Sequence, residues 1–238
     1  SVPGTFQLDV EAIEKAITDK TKAIILNSPN NPSGAVYTEE SLRALNAVLE
    51  KVEKEKSHTI YVVSDEPYVK IVYDGVKVPA ISAIFSNSIV VNSFSKSLAL
   101  PGERIGYVAI NPAIEGALIL ADAMIFCNRT LGFVNAPGLF QKVVAEHLDD
   151  VAGLEAYKER RDALYEILID TGYECEKPQG AFYLFPKAPI EDDVAFCKKA
   201  LEHRLVLGSG TGFGYPGYFR LAYCVSMDTI KNSKESFA

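Results

Sequence analysis

An α/β fold is what the sequence predicts, and three features predict it. Apolar runs of strand length recur at 22–27 (KAIILN), 59–68 (TIYVVSDEPY), 88–93 (SIVVNS) and 104–110 (RIGYVAI). Helical patterns lie between and after them, which argues for packed α and β layers. The runs are apolar throughout instead of alternating, as strands buried on both faces read, and that is typical of a parallel sheet covered by helices. Residues 1–150 are therefore expected to form one large, mostly parallel unit with helices on both faces. Residues 151–238 are expected to form a smaller C-terminal α+β unit.

Along the chain, Asp9 is placed to cap a first helix, VEAIEKAI. The run 22–27 is stopped by SPNNPSG (28–34), a stretch dense in turn formers. Thr38 can cap the next helix, with Glu39 and Glu40 favourable at its positive end. That helix is expected to reach about Lys56, with Leu42, Leu45, Val48, Leu49 and Val52 on one face. Its last turns, KVEKEK (51–56), mix both charges and read as a solvated face. Further helical patterns cover 112–126, 135–149 and 153–171, with the boundary between the two units in the last of these. GAFYLFP (180–186), a helix near 191–204, RLVLGSG and GYFRLAYC supply the smaller unit. No internal repeat or low-complexity tract interrupts this order.

Composition narrows the function. The 238 residues are 48% hydrophobic with a net charge of −7, enough apolar material for a sizeable core and no basic footprint for nucleic acid. The cysteines, Cys127, Cys175, Cys197 and Cys224, form no C-x-x-C pair, and His58, His147 and His203 are dispersed, so no metal site is expected. No apolar run approaches the ~20 residues of a membrane span. No basic region followed by an apolar stretch opens the chain, and a cytoplasmic location is the expectation.

The polar residues gather where apolar runs end: at Asn27–Asn31, at Asp65–Tyr68 and at Ser93–Lys96. In open α/β sheets ligands bind outside the carboxyl ends of the strands, so these clusters should converge on one cleft. The set matches the functional groups of pyridoxal 5′-phosphate one by one. A partly desolvated lysine near a cation can form a Schiff base with an aldehyde. An aspartate can keep a pyridine nitrogen protonated, making the ring an electron sink. A tyrosine hydroxyl and an asparagine amide can bond a phenolic oxygen, and serines with an arginine suit a phosphate.

Three motifs in order carry a resemblance. SPNNPSG resembles the N-P-x-N-P-[ST]-G loop of the class I/II aminotransferases of the fold-type I pyridoxal-phosphate superfamily. SDEPY resembles that family's D-x-x-Y element, and SFSKSLALPGERIGY its S-x-S-K…R-x-G element. The order and spacing agree over about 220 residues, and the subgroup is similar to the bacterial aspartate/aromatic enzymes. The resemblance implies that Lys96 holds the cofactor and moves the proton, that Asp65 pairs with the pyridinium nitrogen, and that Tyr68 donates to the 3′ oxygen. It implies that Asn31 bonds the same oxygen and touches the substrate carboxylate. It assigns Ser93, Ser95 and Arg104 to the phosphate and Arg220, in YFRLAYC, to the substrate α-carboxylate. The activity implied is transfer of an amino group between an L-amino acid, of aspartate or aromatic type, and a 2-oxo acid, in a homodimer of full-length chains. Neither nucleic acid nor membrane is an expected partner.

Taken singly, each residue has a plainer reading: Lys96 a surface lysine, Asp65 a turn or cap, Tyr68 a packed aromatic, Asn31 a turn former, Arg220 a surface ion pair. Their joint order carries the functional one. GSGTGFG (208–214) is followed by a strand-like run and not a helix, which excludes a dinucleotide or Walker loop. It is expected to be a mobile loop near Arg220. Family members carry a long N-terminal portion before the equivalent of Val2, with the phosphate cradle and the ring-stacking aromatic; neither is identifiable here, and the C-terminus looks slightly short. The chain is therefore expected to be a fragment that holds cofactor weakly. Two other functions share these residues: a β-lyase or aminocyclopropane-carboxylate-synthase-like enzyme, and a non-catalytic regulatory module.

Overall fold

Asp9 caps the first helix as expected: its carboxylate accepts from the Ala12 N–H at 3.0 Å in the computed structural model, which describes residues 1–238. The elements of the first part are α1 (Val10–Ala16), β1 (Ala23–Asn27), α2 (Glu39–Lys56), β2 (Tyr61–Asp65), α3 (Ile81–Ile84), β3 (Ser88–Ser93), α4 (Phe94–Ser97) and β4 (Gly106–Ile110). They continue through α5 (Ala117–Thr130) and α6 (Gly138–Glu146) to the long α7 (Leu154–Asp170). Thr38 caps α2, accepting from the Ser41 N–H at 3.2 Å. The helix expected over 112–126 starts later, at Ala117, because Asn111 accepts from the Ala113 N–H and forms a turn there.

The first sheet has the order β1-β2-β3-β4. β1 pairs with β2 and β2 with β3 in parallel, while β4 runs antiparallel to β3. One face packs on α2 and α3: Leu26 and Val62 from the strands meet Leu42, Leu45, Leu49, Val52, Ile81 and Phe85. The opposite face is open in places. Ile25 is 73% exposed there, and Val108 of β4, on the same face by register, is exposed as well.

The second part holds β5 (Tyr183–Leu184), α8 (Asp193–Glu202), β6 (Gly208–Ser209), β7 (Phe219–Ala222), α9 (Met227–Asn232) and α10 (Lys234–Phe237). Its sheet is antiparallel, in the order β5-β7-β6. Leu164 and Leu168 of α7, Leu184, Phe219, Leu221, Ile230 and Phe237 fill its core. Tyr68, Ile71 and Tyr73 join that core from the segment after β2, so the first part reaches physically into the second.

Arg161 of α7 ties this junction. It is 1% exposed, lies against the Tyr73 ring at 4.6 Å and donates to the Pro178 carbonyl at 3.1 Å. Asp74 and Asp162 face it at 2.8 and 2.7 Å. Lys158 and Lys177 pair in turn with those two carboxylates. The Tyr73 and Tyr223 hydroxyls both donate to the Ala181 carbonyl, at 2.6 and 3.1 Å. Ala181 itself sits at φ +59°, a left-handed conformation that a non-glycine residue keeps only where its surroundings enforce it.

Candidate active site

Register sets the first contact. Asn27 ends β1 directly opposite Asp65, which ends β2. The Asn27 amide donates to the Asp65 carbonyl at 2.9 Å and to its carboxylate Oδ2 at 3.3 Å. Its Oδ1 accepts from the Asn31 N–H at 2.7 Å. One side chain thus fixes both the aspartate and the start of the loop carrying Asn31. The loop is closed by Asn30, whose Oδ1 accepts from the Ser33 N–H and hydroxyl. Gly34 then turns at φ +70° so close to the second part that a Cβ would stand 2.3 Å from the Pro178 Cβ. Its carbonyl accepts from the Gln179 and Gly180 N–H groups at 3.0 and 2.9 Å.

That crossing brings residues 178–184 to the strand ends. Tyr68 is buried and shares a 3.1 Å hydrogen bond with the Tyr183 hydroxyl. Lys96, in α4 just beyond the end of β3, lies over the Phe182 ring with its Nζ 5.5 Å from the centroid, and it forms no ion pair. Arg220 of β7 donates from Nη1 to the Asn31 Oδ1 at 2.9 Å. Its guanidinium lies against the Tyr183 and Phe213 rings, at 4.6 and 4.5 Å. Ser93 caps α4: its Oγ accepts from the Ser95 N–H and donates to the Ser95 hydroxyl at 2.7 Å. Arg104 is exposed and donates to the Pro101 carbonyl at 2.7 Å; no hydrogen bond joins it to the serines.

The structure therefore brings Asn31 to Arg220 directly, and links Asn31 to Asp65 through Asn27. Tyr68 meets Arg220 through Tyr183, while Lys96 shares the aromatic wall at Phe182. Sequence reasoning does not single out Asn27, Phe182 or Tyr183 as site residues. For Asn27 a signal exists: it ends an apolar run just as Asp65 does, and parallel pairing puts such ends side by side. The loop 208–214 lies beside Arg220 as expected, but it is not free. Gly210–Phe213 form a turn of 3₁₀ helix, and the Asp193 carboxylate holds the loop at Thr211 and Gly217. A groove of about 660 Å³ lies elsewhere, among Leu205, Leu207, Ile230 and Phe237 of the second part.

Burial pushes the Asp65 carboxyl above its ordinary range, and no cation offsets it. Burial, and then the bond shared with Tyr183, push the Tyr68 hydroxyl far up as well. Tyr68 is therefore a neutral hydrogen-bonding group at neutral pH.

The strand-end lysine, the aspartate raised by burial and the two sheets agree with the fold-type I transferases that the motifs resemble. The model of the aminotransferase class I and II family matches residues 1–237, and the chain belongs to that family. It is 35% identical over 250 residues to the aspartate aminotransferase of Bacillus subtilis, covering 97% of this chain and 60% of that one. The structure of an amino transferase from Eubacterium rectale superposes with a TM-score of 0.95 at 47% identity, over 98% of this chain and 58% of that one. An aspartate aminotransferase mutant from Thermus thermophilus superposes with a TM-score of 0.86 at 31% identity, over 100% of this chain and 65% of that one. The chain spans about 60% of the length of the curated relatives it matches.

Proposed function

We propose that the protein is a pyridoxal-5′-phosphate-dependent aminotransferase moving an amino group between an L-amino acid, of aspartate or aromatic type, and a 2-oxo acid. The observation that carries this reading is the hydrogen bond from Arg220 to Asn31, which sets a carboxylate-binding group beside the loop expected to hold the cofactor. The names of the relatives support the aspartate preference.

The residues fit the cofactor. Asp65 has a desolvated carboxylate with a single amide donor on Oδ2, an environment a pyridinium N–H would relieve. Tyr68 is a neutral hydroxyl for the 3′ oxygen, bonded to the Tyr183 hydroxyl. Ser93, Ser95 and Arg104 supply hydroxyls and a guanidinium for the phosphate. Lys96 is an amine free of any carboxylate partner. Bound there, the cofactor supplies an electron sink for the carbanion formed at the substrate Cα. Arg220 and Asn31 hold the α-carboxylate and so orient the Cα–H bond. Lys96 Nζ takes the proton from Cα. Phe182 and Tyr183 exclude water from one side of that amine and of the arginine, strengthening each charge interaction within.

We place this activity in the cytoplasm and in a homodimer of full-length chains. No helix is long and apolar enough to cross a membrane. α5 has no buried residue although Leu118, Ile119, Ile125 and Phe126 are exposed on it, an apolar surface suited to further protein contact.

The test is the visible spectrum of the full-length protein with pyridoxal phosphate, beside Lys96→Ala. A band that requires Lys96 and collapses on adding aspartate with release of a keto acid, and a new amino acid once a second 2-oxo acid is supplied, is the expected outcome. No Lys96-dependent band, or ammonia and pyruvate as products, would overturn the reading.

A further inference from the structure

The loop between β6 and β7 is held by a residue that the reaction above does not use. Asp193, in the first turn of α8, is 2% exposed. Its Oδ2 accepts from the Thr211 N–H at 2.8 Å, and its Oδ1 from the Thr211 hydroxyl at 2.8 Å and the Gly217 N–H at 3.0 Å. A single carboxylate thus clamps both ends of the segment 211–217. Burial works against the charge, but these bonds outweigh it and hold the carboxyl below its usual range.

Between the clamped ends sits Phe213. Its ring lies against the Arg220 guanidinium at 4.5 Å and meets Phe185 edge-on at 6.5 Å. Space for it comes from Gly208, which pairs with Arg220 across the sheet. A Cβ there would stand 3.4 Å from the Phe213 ring. Phe213 is itself 37% exposed, so packing alone does not fix it. The guanidinium is left with one Nη1 bond to Asn31 and two aromatic neighbours, and the Phe213 neighbour is mounted entirely on the clamped loop.

We propose that Asp193 is a positioning residue for the carboxylate-binding arginine: by clamping 211–217 it seats Phe213 on Arg220 and so fixes the direction the guanidinium fork presents to a ligand carboxylate. The inference rests on the aminotransferase reading for its ligand and on the hydrogen bonds for its mechanism. Charged hydrogen bonds from three donors make the clamp stiff, and a bidentate carboxylate is sensitive to the angle of the fork. The clamp therefore acts on ligand binding and leaves the lysine chemistry alone.

The experiment compares full-length wild type, Asp193→Asn, Phe213→Leu and the double variant, with maleate as the probe, since it carries carboxylates and no amino group to transfer. Asp193→Asn keeps the shape and removes the charge; Phe213→Leu is exposed enough to fold whatever Asp193→Asn does. The result expected is a maleate Kd weakened about tenfold by either change, as a positioning partner lost near a ligand costs. The substrate KM should rise in parallel, with kcat within about twofold and cofactor affinity unchanged, the mark of ground-state binding. The double variant should bind no worse than the weaker single one, because both changes break one contact chain. Hydrogen exchange at the Thr211 and Gly217 amides should quicken in Asp193→Asn. Unchanged exchange and unchanged maleate binding overturn the proposal, as does a fall in Tm with Kd unmoved. A wild type that binds maleate but transfers no amino group refutes the aminotransferase reading alone, and the clamp is still judged by exchange and Kd. A wild type that binds no maleate overturns the proposal, which needs a carboxylate on Arg220, while amino-group transfer is judged by its own assay.

Discussion

Asn27→Ala should damage a site it never needs to touch. The side chain makes three hydrogen bonds: to the Asp65 carbonyl at 2.9 Å, to the Asp65 carboxylate at 3.3 Å and from the Asn31 N–H at 2.7 Å. A neutral bond contributes ~1 kcal/mol and one to a charged group ~1.5–3, so the three sum to roughly 4 kcal/mol before relaxation. The 3.3 Å bond is long and the partners are only half-buried, so water recovers part of this, and we expect a stability loss of about 2 kcal/mol. Orienting partners of this kind cost about 10–100-fold in affinity for the group they orient, so the Kd for pyridoxal phosphate should rise by that factor. The pH dependence follows in sign. Burial already raises the Asp65 carboxyl in the folded state. Losing the amide donor raises it further, because that donor stabilises only the ionised form. The extra cost is thus fully present above the variant's folded value and absent below the wild type's, the unfolded value being common to both. The gap in Tm between wild type and variant should be widest near neutrality and narrow as pH falls, without closing, because the bonds to the Asp65 carbonyl and from the Asn31 N–H do not titrate. Cofactor titration by visible absorbance and thermal melts across that range measure both. A Kd within about twofold of wild type, or a Tm gap that does not change with pH, would refute the reasoning.

Other expectations arise from the same geometry. Arg161→Met should cost about 2–4 kcal/mol by urea midpoint: the buried cation goes, but Asp74 and Asp162 keep Lys158 and Lys177, which holds the loss below that of an orphaned buried charge; a change under ~0.5 kcal/mol would contradict the hub. Gly34→Ala should destabilise by about 2–3 kcal/mol, because both its left-handed φ and the Pro178 Cβ oppose a methyl group; a Tm equal to wild type would sink this. Asp74 is held below the usual range, by Lys158 first and Arg161 second. In Asp162, burial pushes upward but Lys177 and Arg161 outweigh it. Depressed folded values contribute stability that is present above the unfolded value of ~3.9 and lost as pH falls through the folded ones. Wild-type Tm should therefore fall below about pH 4, and the slope should be shallower in Arg161→Met, with equal slopes refuting the assignment.

Much of the fold was legible because local rules sufficed. Asp9 and Thr38 cap the helices they precede, and the apolar stripe of α2 faces the sheet. That Asn31, Asp65 and Lys96 fall at or just past strand ends was legible because continuous apolar runs mark buried strands and polar residues interrupt them. The reversed direction of β4 left no trace, since an apolar run reads alike both ways. Phe182 and Tyr183 were hidden for another reason: GAFYLFP reads as core, and Tyr183 is 8% exposed. Nothing local says that the core of the second part doubles as the wall of the site. The loop 208–214 reads as mobile because glycine suggests freedom. Its anchor, Asp193, lies 18 residues before Thr211, and a distant buried acceptor has no sequence signature.

The site is a seam, and that shapes how it can respond to a ligand. Asn31 and Arg220 are 189 residues apart in the chain and are joined by one side-chain hydrogen bond. Tyr68 with Tyr183, and Gly34 with Gln179 and Gly180, cross the same seam. The backbone crossing at Gly34 is buried and rigid, but the Arg220–Asn31 bond joins a cation to a neutral amide oxygen. A ligand carboxylate offers the same guanidinium a charged acceptor, which makes a bond roughly twice as strong. In the function proposed above, binding adds a stronger, charged clasp to the neutral one, through guanidinium N–H groups that the single Nη1 bond to Asn31 leaves available. Asn31→Ala then leaves Arg220 without its amide partner and should weaken carboxylate binding less than Arg220→Ala does, because the arginine keeps its aromatic neighbours and its charge. Maleate affinities measured side by side should rank wild type tightest, Asn31→Ala next and Arg220→Ala last, and an Asn31→Ala protein as impaired as Arg220→Ala would show that the guanidinium does not hold the carboxylate without the asparagine.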